Sequence, residues 1–245
     1  MALEATIVQS GRLTMRGLGS RRRPHPTLFS MPGLTARAVW REWRPPFFDA
    51  IAAALPAIRE EYAAARAALA SDYSTADAGR DGGEHRLHAG AWEWRSHVIK
   101  GAVVAGGGFA RAAPRTAALL DGAVGDELML GVPFGFAFFS SLAPRSTIAA
   151  HAGATNLRLR VHVPLELPSR DARACGLRVA DETLAWRDGE CLVFDDQFEH
   201  EAWNHTDAER GLLLFDVWHP ELSADERAAI RGMFDGARKQ GWLKE

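Results

Sequence analysis

A chain of 245 residues, 47% hydrophobic and 24% charged, is long enough to bury one substantial core and has the balance of an ordinary globular protein. Its formal net charge of −2 gives no electrostatic ground for a nucleic acid or an anionic membrane as partner. Cys175 and Cys191 are the two cysteines, too few for a disulfide framework and without the close Cys or His neighbours of a structural zinc site.

At the N-terminus, Glu4, Arg12, Arg16 and the run Arg21-Arg22-Arg23 leave no continuous apolar stretch, so a secretory signal is not expected. An organellar presequence would fit the basic, Ser- and Gly-containing character, but a flexible lead-in over residues 1–27 is the simpler expectation. Nothing approaches the roughly 18 apolar residues of a membrane span, and a soluble cytoplasmic protein is expected. Pro45-Pro46 then precede residues 47–70, where Phe48, Ile51, Leu55, Ile58, Tyr62 and Leu69 approximate helical spacing. Pro56 is expected to kink or restart that helix. Residues 71–90 are polar and Gly-rich and read as a loop. Gly106-Gly107-Gly108 marks another, without the Lys-Ser/Thr pair of a phosphate cradle. Pro114 opens a short helix to Leu120.

From about residue 128 the pattern changes to short apolar runs separated by turns: 128–140, 146–151, 157–166, 176–180, 191–194, 200–203 and 211–218. A final helix over 223–239 starts at Ser223-Ala-Asp-Glu226, the arrangement of a capping box. The expected fold is mainly β with flanking helices around a jelly-roll core. It forms a single domain over residues 28–245, with a helical N-terminal part at 28–125 and the β-core and last helix at 126–245.

The residues that carry chemistry lie in the second half. Arg158, Arg160 and His162 alternate with Leu157, Leu159, Val161 and Val163, so a strand here carries two guanidiniums and an imidazole on one face. Two readings stay open: a solvent-facing cationic strand, or an anion site in which Arg forks match a carboxylate. His151 and His200 are far apart in sequence and only the fold can bring them together. Either alone would pass as a structural residue, whereas a pair with a cationic strand between them suits a non-haem iron site.

The stretch from Ser140 to about Ala228 resembles the catalytic domain of the aspartyl/asparaginyl β-hydroxylase family of iron- and 2-oxoglutarate-dependent dioxygenases. The matching pieces are His-x-Gly-x-Thr-Asn-x-Arg-Leu-Arg-x-His from His151, Phe-Asp-Asp-x-Phe-Glu-His-Glu-x-Trp from Phe194, and Asp-Val-Trp-His-Pro-Glu-Leu from Asp216. A looser match covers Ala113-Pro114-Arg115-Thr116. The resemblance implies a double-stranded β-helix (jelly-roll, cupin-like) and the cofactors Fe(II), 2-oxoglutarate and O2. It implies that His151 and His200 bind the metal, that Arg210 takes the far carboxylate of the cosubstrate, and that Ser140, Arg160 and His162 complete its binding. The implied reaction is β-hydroxylation of an aspartyl or asparaginyl group in a free amino acid, a peptide or a carrier-bound small molecule.

Gly153 stands where most enzymes of this mechanistic class place a metal-binding carboxylate two residues after the first histidine, and the resembling family shares that gap. Water is expected there, with a halide as the less expected occupant. Asp195, Asp196 and Glu199 are expected to be turn or supporting acids and not ligands. Trp92, Trp94, Arg95 and His97 are either substrate contacts or packing, with Arg95 or Arg158 the expected partner of an acidic substrate. Trp203, Trp218, His219 and Pro220 are expected to define the fold. Animal members have a membrane anchor and a repeat region, neither of which is read in this sequence. Two alternatives remain: a non-catalytic jelly-roll module holding an organic acid, and a dioxygenase acting on another small molecule.

Overall fold

The computed structural model describes residue 24, residues 26–72 and residues 87–242. Two antiparallel sheets face each other. One has the strand order β3 (Ala102–Val103), β2 (Trp92–Ile99), β4 (Ala137–Leu142), β11 (Arg210–Trp218), β6 (Arg158–Glu166) and β9 (Leu192–Phe194). The other runs β1 (His88–Ala89), β5 (Ser146–His151), β10 (His200–Asn204), β7 (Cys175–Val179) and β8 (Glu182–Leu184). From β4 onward the chain changes sheet at each connection except the β7–β8 hairpin, which is the winding of a double-stranded β-helix. The fold is thus mainly β with flanking helices, as expected.

Alternation along the strands decides what lies between the layers. Leu159, Val161 and Val163 of β6, with Leu213, Phe215 and Val217 of β11, pack on the outer side of the six-stranded sheet. They meet helix α1 (Phe47–Ala68), whose Phe47, Phe48, Ile51, Leu55, Ile58, Tyr62 and Ala65 are buried along one face. The helix continues through Pro56 without ending, so the expected restart does not occur. The other faces of β6 and β11 carry Arg158, Arg160 and His162, and Arg210 and Asp216, into the space between the sheets. The cationic strand is therefore interior. Charges are placed there only against a cost in desolvation, and that cost marks the site.

The expected helical part at 28–125 needs a correction, because β1, β2 and β3 lie inside it and β2 pairs along β4. Its polar residues hid the strand. Arg95 turns toward the helices and donates Nε–H to the Leu69 carbonyl at 2.9 Å, and His97 bonds Asp121 at 2.7 Å. Short helix α2 (Gly108–Ala112) precedes α3 (Pro114–Leu119). The buried Glu61 carboxylate accepts from the N–H groups of Arg115 (2.9 Å) and Thr116 (2.8 Å) and from the Thr116 hydroxyl (2.7 Å). That closes the N-terminus of α3. Helix α4 (Ala224–Lys239) carries the expected capping box at Ser223 and Glu226.

Residues 27–40 lie across one end of the barrel. Thr27 N–H donates to Gly153 O at 3.1 Å, Asn156 exchanges two 2.8 Å bonds with the Met31 backbone, and Trp40 N–H bonds Val193 O at 2.9 Å. The lead-in expected over 1–27 falls almost wholly outside the described residues. Among the described residues no helix is long and apolar enough to cross a membrane.

Replacing Glu61 by Ala removes a charged acceptor from three donors, two of them backbone groups. Denaturant unfolding of Glu61→Ala is expected to show a loss of about 1–3 kcal/mol. An unchanged midpoint would mean that α3 needs no such cap.

Candidate functional site

His151 ends β5 and His200 begins β10, and the two residues are direct cross-strand partners. Their rings lie 4.1 Å apart at centroids. Nδ1 of His151 faces the Ala149 carbonyl at 2.8 Å, and Nδ1 of His200 faces the Phe198 carbonyl at 2.9 Å. A carbonyl can only accept, so both Nδ1 atoms carry the proton, and in a neutral ring Nε2 then carries a lone pair. This is the tautomer a metal ligand needs, fixed by the backbone. Burial, followed by the neighbouring His151 imidazole, holds His200 well below the usual histidine range. Among the described residues no group of three or more His, Cys, Asp or Glu side chains is arranged around a common metal position. A metal held by the described residues would have this pair as its imidazole ligands.

At Gly153, two residues after His151, there is no room for a side chain. A Cβ built there would lie 2.5 Å from Asp196 Cγ and 2.7 Å from Oδ1. The Asp196 carboxylate thus fills the space a side chain at 153 would need. Arg158 grips that carboxylate through Nη2 and through Nε at 3.2 Å, and also reaches Asp216 at 3.0 Å. Asp216 in turn takes a fork from Arg160, with bonds of 2.8 Å from Nε and 3.0 Å from Nη2. Burial alone would raise the Asp196 carboxyl, but Arg158 and Arg160 outweigh it and hold the group below the usual carboxylate range. Its neighbour Asp195 has only Gln197 as a bonded side chain, and burial pushes it up to about 7. Adjacent acids are thus shifted in opposite directions, one held down by guanidiniums and the other raised by burial.

Arg210, at the start of β11, has no such match. It is 2% exposed, and among the described residues no carboxylate forms an ion pair with it. Nη1 donates to Ser140 Oγ at 3.2 Å, and Nε is buried without a hydrogen-bond partner. Burial pushes the guanidinium down to about 10, so it stays charged at neutral pH. Ser140 Oγ also receives the Trp92 indole N–H at 2.9 Å. With two donors directed at its oxygen, the Ser140 hydroxyl keeps its own proton for another acceptor. His162 Nε2 is likewise buried and without a partner. Burial, then the nearby Arg210, Arg160 and His200, hold the ring well below the usual histidine range, and Phe194 meets both this ring and that of His200 edge-on. A buried cation and orphaned polar atoms fit a small carboxylate dianion, and the paired Nε2 lone pairs fit a divalent metal.

The structure gathers His151, His200, Arg160, His162, Ser140 and Arg210 between the two sheets. It does not leave Arg95 or Arg158 for substrate. Arg95 is held on the helix side by Leu69 O and by Glu93 at 2.9 Å, and Arg158 is consumed by two aspartates. Trp94 packs flat on Phe138 at 4.2 Å, while Trp92 joins the anion end. Trp218 and His219 are fully buried, as expected for fold-defining residues. Asp216 escaped sequence reading, though its alternation with Arg210 along β11 places both on one face. Trp186 escaped it too. It lies in the loop after β8, where no periodicity signals burial.

The family model for aspartyl/asparaginyl β-hydroxylase matches residues 52–220. The mouse aspartyl/asparaginyl β-hydroxylase is 38% identical over 120 residues, which are 49% of this chain and 15% of the mouse protein. An ornithine lipid ester-linked acyl 2-hydroxylase from Rhizobium tropici is 40% identical over 84 residues, 34% of this chain and 30% of that protein. A crystal structure of a 2-oxoglutarate–iron(II) oxygenase family oxidoreductase from Burkholderia pseudomallei superposes with a TM-score of 0.45 at 16% identity, covering 76% of this chain and 97% of that one. The strand winding defines the class of fold, a double-stranded β-helix. The chain belongs to the aspartyl/asparaginyl β-hydroxylase family. The matches reach well under two thirds of the length of either sequence relative.

Gly153→Ala is expected to be unfavourable because Asp196 cannot retreat from Arg158. The overlap should cost about 1–3 kcal/mol in denaturant unfolding. A variant as stable as the wild type would show that the Asp196 carboxylate does not fill that space.

Proposed function

We propose that the chain is an iron(II)- and 2-oxoglutarate-dependent hydroxylase, with metal held by His151 and His200 and the cosubstrate dianion held by Arg210. The observation that carries this reading is the buried, charged Arg210 with no carboxylate partner among the described residues. The other two interior guanidiniums, Arg158 and Arg160, are answered by Asp196 and Asp216, so the unmatched one needs an anion from outside. When bound, iron with 2-oxoglutarate and O2 supplies the oxidising power for C–H hydroxylation, with succinate and CO2 as the other products.

The chain's own part is placement. His151 and His200 present their Nε2 lone pairs, and the carbonyls of Ala149 and Phe198 keep the rings from turning. Arg210 neutralises the far carboxylate, with the Ser140 hydroxyl as a second donor. His162 and Arg160 serve the near carboxylate, while Asp216 holds the Arg160 plane. The two sheets keep water from the reacting centre. A module that merely stored an organic acid would have no use for paired histidines held in the metal-binding tautomer.

The β-carbon of an aspartyl or asparaginyl group is the default target, in a free amino acid, a peptide or a carrier-bound molecule. A second reading has support of its own. Arg95 and Arg158 are committed elsewhere, and the wall beside Ser140 is built from Trp92, Trp94, Phe136 and Phe138. Such a wall suits an uncharged or acyl-bearing small molecule, and the Rhizobium relative is named for hydroxylating an acyl group.

Succinate formation by purified protein with Fe(II), 2-oxoglutarate and O2 tests the reading, across aspartyl and asparaginyl peptides, the free amino acids and acyl-bearing amides. Succinate that rises with one substrate class and disappears in His200→Ala is the expected outcome. Arg210→Ala should weaken 2-oxoglutarate binding by about 10- to 100-fold. Wild-type turnover in His200→Ala would refute the metal assignment.

A further inference from the structure

Three histidines cluster at the site, and the partner of each Nδ1 sorts them. At His151 and His200 that partner is a carbonyl, so the proton is on Nδ1. At His162 it is the indole N–H of Trp186, 3.2 Å away. An indole nitrogen can only donate. Nδ1 of His162 must therefore accept, and in a neutral ring the proton then sits on Nε2. Burial, with Arg210 and Arg160 close by, keeps the ring neutral. The Nε2–H so defined is buried and has no partner among the described residues.

The same indole serves the second half of the anion end. The Arg210 guanidinium lies over the Trp186 ring at 5.1 Å from its centroid, a cation–π contact in a desolvated setting. Trp186 is itself 2% exposed, and its ring lies 6.0 Å from His162 at 33°. One side chain thus touches His162 and Arg210, each of which has a buried atom without a partner among the described residues, through its edge in one case and its face in the other.

We propose that Trp186 is a positioning residue for the cosubstrate: its N–H fixes His162 as an Nε2–H donor toward the bound carboxylate, and its face seats Arg210. This rests on the reading of the site as a 2-oxoglutarate site. With the opposite tautomer, His162 would turn a lone pair toward the carboxylate and repel it. The assignment also removes His162 as a third metal ligand through Nε2, since a protonated nitrogen has no lone pair to give. Sequence position does not separate His162 from His151 and His200 in this respect, whereas the donors around them do.

The test uses the full chain with 15N-labelled histidine. Long-range 1H–15N spectra of the metal-free protein report the tautomer of His162, assigned by the loss of its signals in His162→Gln. Calorimetric titration of 2-oxoglutarate, with zinc(II) in place of iron, reports binding without turnover. The wild type should show the Nε2–H pattern. Trp186→Phe keeps an aromatic face under Arg210 but lacks the donor, so it should show mixed tautomers and about tenfold weaker 2-oxoglutarate binding, with zinc affinity unchanged. A wild-type His162 protonated on Nδ1 would overturn the proposal with no variant needed. So would a Trp186→Phe protein with unaltered tautomer and affinity while Arg210→Ala loses binding. Wild-type protein that binds zinc but no 2-oxoglutarate, even with Nε2–H in place, would instead remove the cosubstrate reading on which the proposal rests.

Discussion

A guanidinium placed between two packed sheets has to be matched by negative charge, and that requirement organises the centre of this molecule. Strands β6 and β11 send Arg158, Arg160 and Arg210 inward. Desolvating each is costly unless an anion accompanies it. Asp196 and Asp216 accompany the first two, and their carboxylates are shared among both guanidiniums in one closed network. Arg210 has a serine and an indole face instead. The imbalance is local, built into a strand that is buried along its whole length, and it leaves a place for an external dianion.

The same network shapes the metal side. Because Asp196 is tied to Arg158, it stays ionised and stays put, pressed against the Cα of Gly153. Glycine at 153 is thus required by the close approach of a carboxylate that belongs to another strand connection. The position that holds a ligand in most related mechanisms is filled here by a supporting ion pair. What remains for the proposed metal is the histidine pair, brought side by side by the β5–β10 register and kept in one tautomer by carbonyls two residues back in each chain segment. Charge matching around β6 and donor matching around the imidazoles are two forms of one constraint: a buried polar atom either has its partner or awaits one.

Much of this was legible in the sequence. Alternation of Leu159, Val161 and Val163 with Arg158, Arg160 and His162 announced a two-faced strand, and the spaced apolar runs announced a β-core. The ordered motifs from His151 to Glu221 pointed to the family. Less legible was which face of β6 would be buried. A strand covered by a helix on one side and a second sheet on the other has no solvent face, and local pattern does not reveal that second layer. Strand β2 was missed because Glu93, Arg95, Ser96 and His97 interrupt its apolar residues, and the bonds of Arg95 and His97 to the helical segments cannot be read locally. Asp216 and Trp186 act through tertiary contacts to residues on other strands. Alternation from Arg210 gives the first of these, whereas no local signal gives the second.

The central claim is that Arg210 waits for a second carboxylate, and one comparison tests it most directly. Under anaerobic conditions, 2-oxoglutarate and 2-oxobutanoate, which keeps the keto acid but lacks the far carboxylate, are titrated against the iron(II)-loaded protein and the Arg210→Ala variant. The expected result is binding of 2-oxoglutarate at least about tenfold tighter than 2-oxobutanoate, with most of that difference lost in the variant. Equal affinity for the two acids in the wild type would contradict the claim and leave the buried charge of Arg210 without its proposed partner.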